Sequence, residues 1–148
     1  MQSENLDAAI IIIGNEILSG KTQDLNIQFI ATELGALGIR LKEVRVIPDV
    51  EEDIITVVNA LRAKYTYVFT TGGIGPTHDD ITSESIAKAF KVKYSLDLNA
   101  RKLIEEYLIN CKREVRPDHI RMAYIPESAQ LLLNEETGAP GFKIENVF

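Results

Sequence analysis

The run Ala8-Ala9-Ile10-Ile11-Ile12-Ile13 constrains this chain more than any other feature. Six successive apolar residues, four of them β-branched, cannot sit on a sheet with one wet face. Such a strand is covered on both sides, as in a parallel sheet whose crossover helices pack on either face. A Gly-bearing loop, Gly14 to Gly20, follows. Ile27, Ile30, Leu34 and Leu37 then recur at spacings of three and four, one face of a helix, with Gly38 placed as its C-terminal cap. Ile39–Ile47 reads as a second strand, ended by Pro48-Asp49. A second helix is predicted from Glu51 to Ala63. Its apolar face is Ile54, Val57, Val58 and Leu61, and Glu51, Glu52 and Asp53 suit its N-terminal dipole. Tyr67-Val68-Phe69-Thr70 is a third strand, and Ser83–Phe90 and Asn99–Arg113 are further helices. Leu131–Leu133 and Phe142–Phe148 read as late strands around the turn Gly138-Ala139-Pro140-Gly141. The alternating order predicts an α/β fold with a mostly parallel sheet.

Composition narrows the class. A length of 148 residues suits one domain, 1–148,. The stop at Phe148, directly after a strand-like run, predicts a domain truncated at its C-terminus. A single cysteine, Cys111, excludes a disulfide framework and a Cys-based zinc cluster,; its helical register predicts core packing. The net charge of −6 works against nucleic-acid binding, which draws on phosphate neutralisation,. No apolar run approaches the length of a membrane-spanning helix. The first run follows acidic Glu4 and Asp7 where a signal peptide would be basic,. The expectation is a cytoplasmic protein with neither nucleic acid nor membrane as partner.

In open α/β sheets ligands bind at the carboxyl ends of the strands. Three polar loops sit there: 14–20, 48–50 and 71–82. Gly20-Lys21-Thr22 looks like the end of a phosphate-binding P-loop, but the required first glycine falls on Asn15,. The first loop is then either a turn with Gly20 at positive φ or a ligand loop of another kind. In the second reading Gly14, Asn15 and Gly20 shape the site, Glu16 is a carboxylate at its mouth and Ser19 a hydroxyl donor.

The third loop is Thr71-Gly72-Gly73-Ile74-Gly75-Pro76-Thr77-His78-Asp79-Asp80-Ile81-Thr82. Three glycines in four residues let backbone N–H groups approach an anion closely. Thr82 and Ser83 add hydroxyls at a helix start, where anions also bind, and either could cap that helix. Thr71 through Thr77, with Thr82 and Ser83, are therefore candidate phosphate-binding residues. Asp79 and Asp80 are adjacent, so their side chains diverge. Asp80 suits a divalent ion that bridges to phosphate, and Asp49 with Asp80 could hold a metal or activate a nucleophile. Asp49 could instead cap the helix at Glu51. His78 is a ligand, a proton donor or a hydrogen-bonded structural residue. His119, among charged neighbours, is expected at the surface.

Taken together, Ile13-Gly14-Asn15-Glu16-Ile17-Leu18-Ser19-Gly20, Thr22-Gln23-Asp24-Leu25-Asn26, Ile47-Pro48-Asp49, the 71–82 loop and Asn134 with Gly138-Ala139-Pro140-Gly141-Phe142 resemble the molybdopterin-binding (MoaB/MogA-like) domain family. Within it the resemblance is greatest to the CinA and FAD-synthase N-terminal domains. It implies a three-layer α/β/α sandwich, a phosphate end bound at Gly72–Gly75 and Thr82–Ser83, catalytic aspartates at Asp49 and Asp80, and homo-oligomers. In the adenylyltransferase branch those aspartates and Mg²⁺ transfer AMP to molybdopterin. Here Asp79 stands where that branch has Arg, and Gly14-Asn15-Glu16 where it has Ser-Asp-Arg. Both changes put an anion near the phosphates in place of a cation. The CinA-like and FAD-synthase-like branches imply instead hydrolysis of a dinucleotide pyrophosphate, ADP-ribose or FAD, with Mg, Mn or Co. The metal would be held by Asp79, Asp80 or Glu16. The alternatives are molybdenum cofactor biosynthesis, by molybdopterin binding or adenylylation, and a module that binds pterin or nucleotide without chemistry.

Overall fold

The computed structural model describes residues 6–148; Glu4 lies outside them. Strand β1 (Asp7–Ile13) is the middle of a parallel sheet, between β2 (Arg40–Ile47) and β3 (Tyr67–Thr71). The opening run is buried throughout, Ala8 to Ile13 being at most 2% exposed. Ala9, Ile11 and Ile13 pack with Ile54, Val57, Val58 and Leu61 of α3 (Glu51–Arg62) and with Ile86 and Ala89 of α4 (Thr82–Ala89). Ala8, Ile10 and Ile12 point the other way and are equally buried. Helix α2 (Asn26–Ala36) packs along β2 with Leu34 inward. Gly38, at φ +76°, follows its C-cap. The result is the α/β architecture with a mostly parallel central sheet that the order of elements predicts.

The late chain departs from expectation. Phe142–Phe148 is not one strand. β7 (Gly141–Lys143) pairs antiparallel with β6 (Gln130–Leu132). The chain then turns between Ile144 and Val147, with Glu145 at φ +49°, and Val147 runs parallel beside Val68 of β3. Asn146 fixes the turn by donating from Nδ2 to the Arg62 and Tyr65 carbonyls. Phe148 stacks on Phe69 at 4.9 Å. Apolar residues on both sides of the turn hide it from the sequence. A short antiparallel pair, β4 (Tyr94–Leu96) with β5 (Tyr124–Pro126), flanks α5 (Leu98–Asn110) and α6 (Pro117–Arg121). Asp97 caps α5 by accepting from the Ala100 N–H at 2.8 Å,.

Two side chains are placed against expectation. Cys111 is exposed because α5 ends at Asn110 and leaves it in the C-cap. His119 is 5% exposed because α6 turns its ring inward. Among the described residues no helix is long and apolar enough to cross a membrane.

Among the described residues strand β2 has only β1 beside it, and its charges fit an edge,. Glu43 accepts from the Tyr65 hydroxyl at 2.6 Å, Arg45 Nε at 2.7 Å and Lys64 Nζ at 3.0 Å. These bonds, the Tyr65 one first, hold its carboxyl down from 4.5 to about 2. A depressed carboxylate stabilises the fold fully above its unfolded value, and the contribution fades as pH falls from 4.5 towards 2,. Acid unfolding of Glu43→Gln should therefore show a shallower loss of stability across that window than the parent. Equal slopes would show that the bonds are not made in solution.

Candidate functional site

The ends of β1 and β2 bring the first two loops together. Gly14 N–H donates to the Ile47 carbonyl at 3.0 Å, and Asn15 N–H to Asp49 Oδ2 at 2.9 Å. Asp49 therefore does not cap α3, whose N-cap is Val50. One helical turn, α1 (Asn15–Leu18), starts directly at Asn15, so the loop does not wrap a phosphate as a P-loop would. The Glu16 carboxylate folds over Gly14, where a Cβ would stand 2.5 Å from Oε1. Ser19 donates back to the Glu16 carbonyl at 3.3 Å, and Gly20 takes φ +75° in the turn.

The third loop is folded from within. Thr82 is fully buried; its hydroxyl donates to the Gly72 carbonyl at 2.9 Å and its N–H to the Gly73 carbonyl at 3.0 Å. The N-cap of α4 is Ile81, so neither Thr82 nor Ser83 is the cap. Gly72 and Gly73 have φ of +94° and +65°. A Cβ on Gly72 would fall 2.0 Å from the Ile13 carbonyl oxygen, and one on Gly73 2.3 Å from Thr82 Oγ1 and 3.4 Å from Asp49 Oδ1. Bare backbone is thus required where the loop crosses the end of β1 and passes Asp49. With two carbonyls of the loop turned to Thr82, trans peptide geometry turns the N–H groups of Gly73 and Ile74 the opposite way. Among the described residues neither N–H meets an acceptor. Ser83 and Glu84, in the first turn of α4, add N–H groups with no intrahelical acceptor,.

Asp49 and Asp80 differ. Asp80 Oδ2 accepts from both the Thr77 N–H at 2.9 Å and the Thr77 hydroxyl at 2.7 Å. It braces its own loop. Asp49 instead lines a cleft of about 340 Å³ with Asn15, Glu16, His78, Asp79 and Ile81. His78 and Asp79 pair at 3.1 Å but are 86% and 80% exposed, a contact of little energetic weight,. Ile74 and Ser83 face a second, mostly apolar cavity of about 210 Å³ with Ile125, Phe142 and Phe148. Residues of the 71–82 loop line both. Among the described residues no three acidic, histidine or cysteine side chains stand close enough to enclose a metal. Hard oxygen donors at the cleft still suit Mg²⁺, which needs only one or two carboxylates beside phosphate oxygens and water.

Sequence reasoning missed the Asn15 N–H as the group that orients Asp49. A residue beside a glycine at a strand end carries no side-chain signal for such a contact.

The sequence pattern of one protein family, described as a probable molybdopterin binding domain, matches residues 9–127. A CinA-like protein of Desulfosudis oleivorans is 36% identical over 137 residues, which cover 93% of this chain and 33% of that protein. The chain spans about a third of the length of the first curated relatives it matches. The crystal structure of CinA from Thermoplasma acidophilum, a protein of unknown function, superposes with a TM-score of 0.84 at 30% identity, covering 95% of this chain and 82% of that one. The tungsten cofactor synthesizing protein MoaB of Pyrococcus furiosus superposes at 0.53 with 19% identity, covering 95% and 80%, a likeness of fold alone.

Proposed function

This chain belongs to the molybdopterin-binding domain family, and from that premise we propose that it binds a nucleotide or pterin phosphate at the glycine loop and hydrolyses a dinucleotide pyrophosphate of the ADP-ribose or FAD type. The observation that carries the reading is the acidic cleft. Glu16, Asp49 and Asp79 line it beside a loop whose free N–H groups suit phosphate,. Carboxylates next to a bound pyrophosphate repel it unless a cation lies between them. Glu16 and Asp79 would hold Mg, Mn or Co in the cleft, and that ion would supply neutralisation of the pyrophosphate charge.

Asp49 is the group placed to move a proton. Its Oδ2 is held by the Asn15 N–H, and Oδ1 faces Gly73. There it takes a proton from a water whose oxygen attacks one phosphorus. The bond from that phosphorus to the bridging oxygen breaks, and two phosphomonoesters leave. Asp80 keeps the loop in shape through Thr77. The apolar cavity beyond Ile74 suits an aromatic base,.

Incubation with ADP-ribose or FAD and each divalent metal should release AMP. Saturable nucleotide or pterin binding without AMP release would leave a non-catalytic module. Transfer of AMP to molybdopterin without hydrolysis would make the chain a molybdenum cofactor enzyme. Either result overturns the hydrolase reading.

Two companion readings rest on other observations. A second copy of the chain is proposed to cover Leu25, Phe29 and Leu37 along α2, which are 70%, 66% and 73% exposed beside the open edge of β2,. Sedimentation should give a dimer or larger assembly, and Phe29→Glu should shift it to monomer; a monomeric parent overturns this. A cytoplasmic location is proposed from the lone unpaired cysteine, Cys111,.

A further inference from the structure

A third cavity, of about 290 Å³, opens on the Pro76 side of the glycine loop. Arg113, Arg116 and His119 line it, Thr137 stands at one wall, and Met122 is among its apolar residues. Among the described residues no carboxylate lines it, although the chain carries a net charge of −6. Its walls are firmly set. The Tyr107 ring packs on bare Gly138, where a Cβ would fall 2.1 Å from Cγ, and the Tyr107 hydroxyl donates to the Glu136 carbonyl at 2.8 Å.

His119 shows what the cavity lacks. Its Nδ1 accepts the Arg116 backbone N–H at 3.1 Å. The ring proton therefore stands on Nε2, which is a donor. Nε2 stands 3.3 Å from Arg116 Nη2, which is also a donor. The same Arg116 Nη2 also meets Asp118 Oδ2 at 3.1 Å. Two N–H groups thus converge with no acceptor between them, and one belongs to a ring that is 95% buried, being 5% exposed. Buried donors are costly without an acceptor. Among the described residues the Arg113 guanidinium forms no ion pair or hydrogen bond either. An oxyanion accepting from His119 Nε2 and Arg116 Nη2, with Arg113 close by, completes the set.

We propose that the Arg113–Arg116–His119 cavity is a second anion site that binds a phosphate dianion, as inorganic phosphate or as the phosphate of a small monoester. It is separate from the acidic cleft and does not depend on the hydrolase reading. Its volume is at the small end of ligand pockets, so the ligand is a phosphate with at most a compact group attached. Guanidinium forks suit phosphate oxygens better than single-point cations do.

The chain has two histidines, His78 and His119, so ring resonances report each site separately. Inorganic phosphate, ribose 5-phosphate and AMP are titrated in turn at constant pH and ionic strength, with no divalent metal. Phosphate should shift the His119 ring signals saturably while His78 stays within error. A stronger response to ribose 5-phosphate or AMP than to phosphate identifies a monoester as the ligand; an equal response identifies the free ion. Arg116→Gln keeps the backbone N–H that orients the ring and should weaken the response at least tenfold. Arg113→Gln, on an exposed side chain, should weaken it severalfold with an unchanged amide spectrum. Asp49→Asn should leave it intact even where AMP release is lost. No His119 shift with any of the three ligands, or a shift unchanged in both arginine variants, overturns the proposal.

Discussion

Gly72→Ala should destabilise the protein by about 3 kcal/mol, in the range of substitutions that strain a special backbone position. For a chain of this length that lowers the melting temperature by roughly 6–12 °C. Two causes act together. Gly72 sits at φ +94°, where an L side chain is strained, and an added Cβ would stand 2.0 Å from the Ile13 carbonyl oxygen. That oxygen ends the central strand, so neither side can yield cheaply. Gly35→Ala is the matched control. Gly35 lies inside α2, and an added Cβ there meets nothing within 4 Å. It should gain about 0.4–1 kcal/mol through lower unfolded-state entropy and better helix propensity. Thermal melts of the two variants read both signs. A Gly72→Ala melt equal to the parent would mean that the loop does not cross β1 in solution.

Asp49→Asn should lower the rate of AMP release from ADP-ribose or FAD by about 10²- to 10⁴-fold, the usual worth of a general base. The amide oxygen can still accept the Asn15 N–H, so the fold and the nucleotide affinity stay near the parent. Asp80→Asn should stay within about tenfold of the parent rate, because an amide oxygen can still accept from Thr77. The contrast tests the division of labour between two carboxylates that are alike in sequence. A collapse of rate in Asp80→Asn with none in Asp49→Asn would exchange their roles.

The sequence is most legible where side chains decide the outcome. The unbroken Ala8–Ile13 run can only be a covered strand, and it is the central one. The apolar spacing of Ile54, Val57, Val58 and Leu61 fixes α3 and the face it buries. The glycine loop is recognisable because positive φ at Gly72 and Gly73 needs glycine. Legibility fails where backbone geometry or a distant partner decides. Phe142–Phe148 reads as one strand because a turn at Glu145 has no glycine or proline to mark it. His119 reads as a surface residue from its charged neighbours, yet α6 rolls it inward. Thr82 reads as a phosphate donor or a cap, and its hydroxyl is instead given to Gly72. Asp49 and Asp80 separate only once Asn15 and Thr77 are seen to hold them.

The double tie from Thr82 to the carbonyls of Gly72 and Gly73 also governs how a ligand arrives. A glycine-rich segment free in solution would lose much conformational entropy on closing round an anion. Here that loss has already been met during folding, through a threonine fully buried in the protein. Association then has little ordering left to perform. Differences in affinity among ligands at this loop should therefore lie in how long each stays rather than in how often it lands.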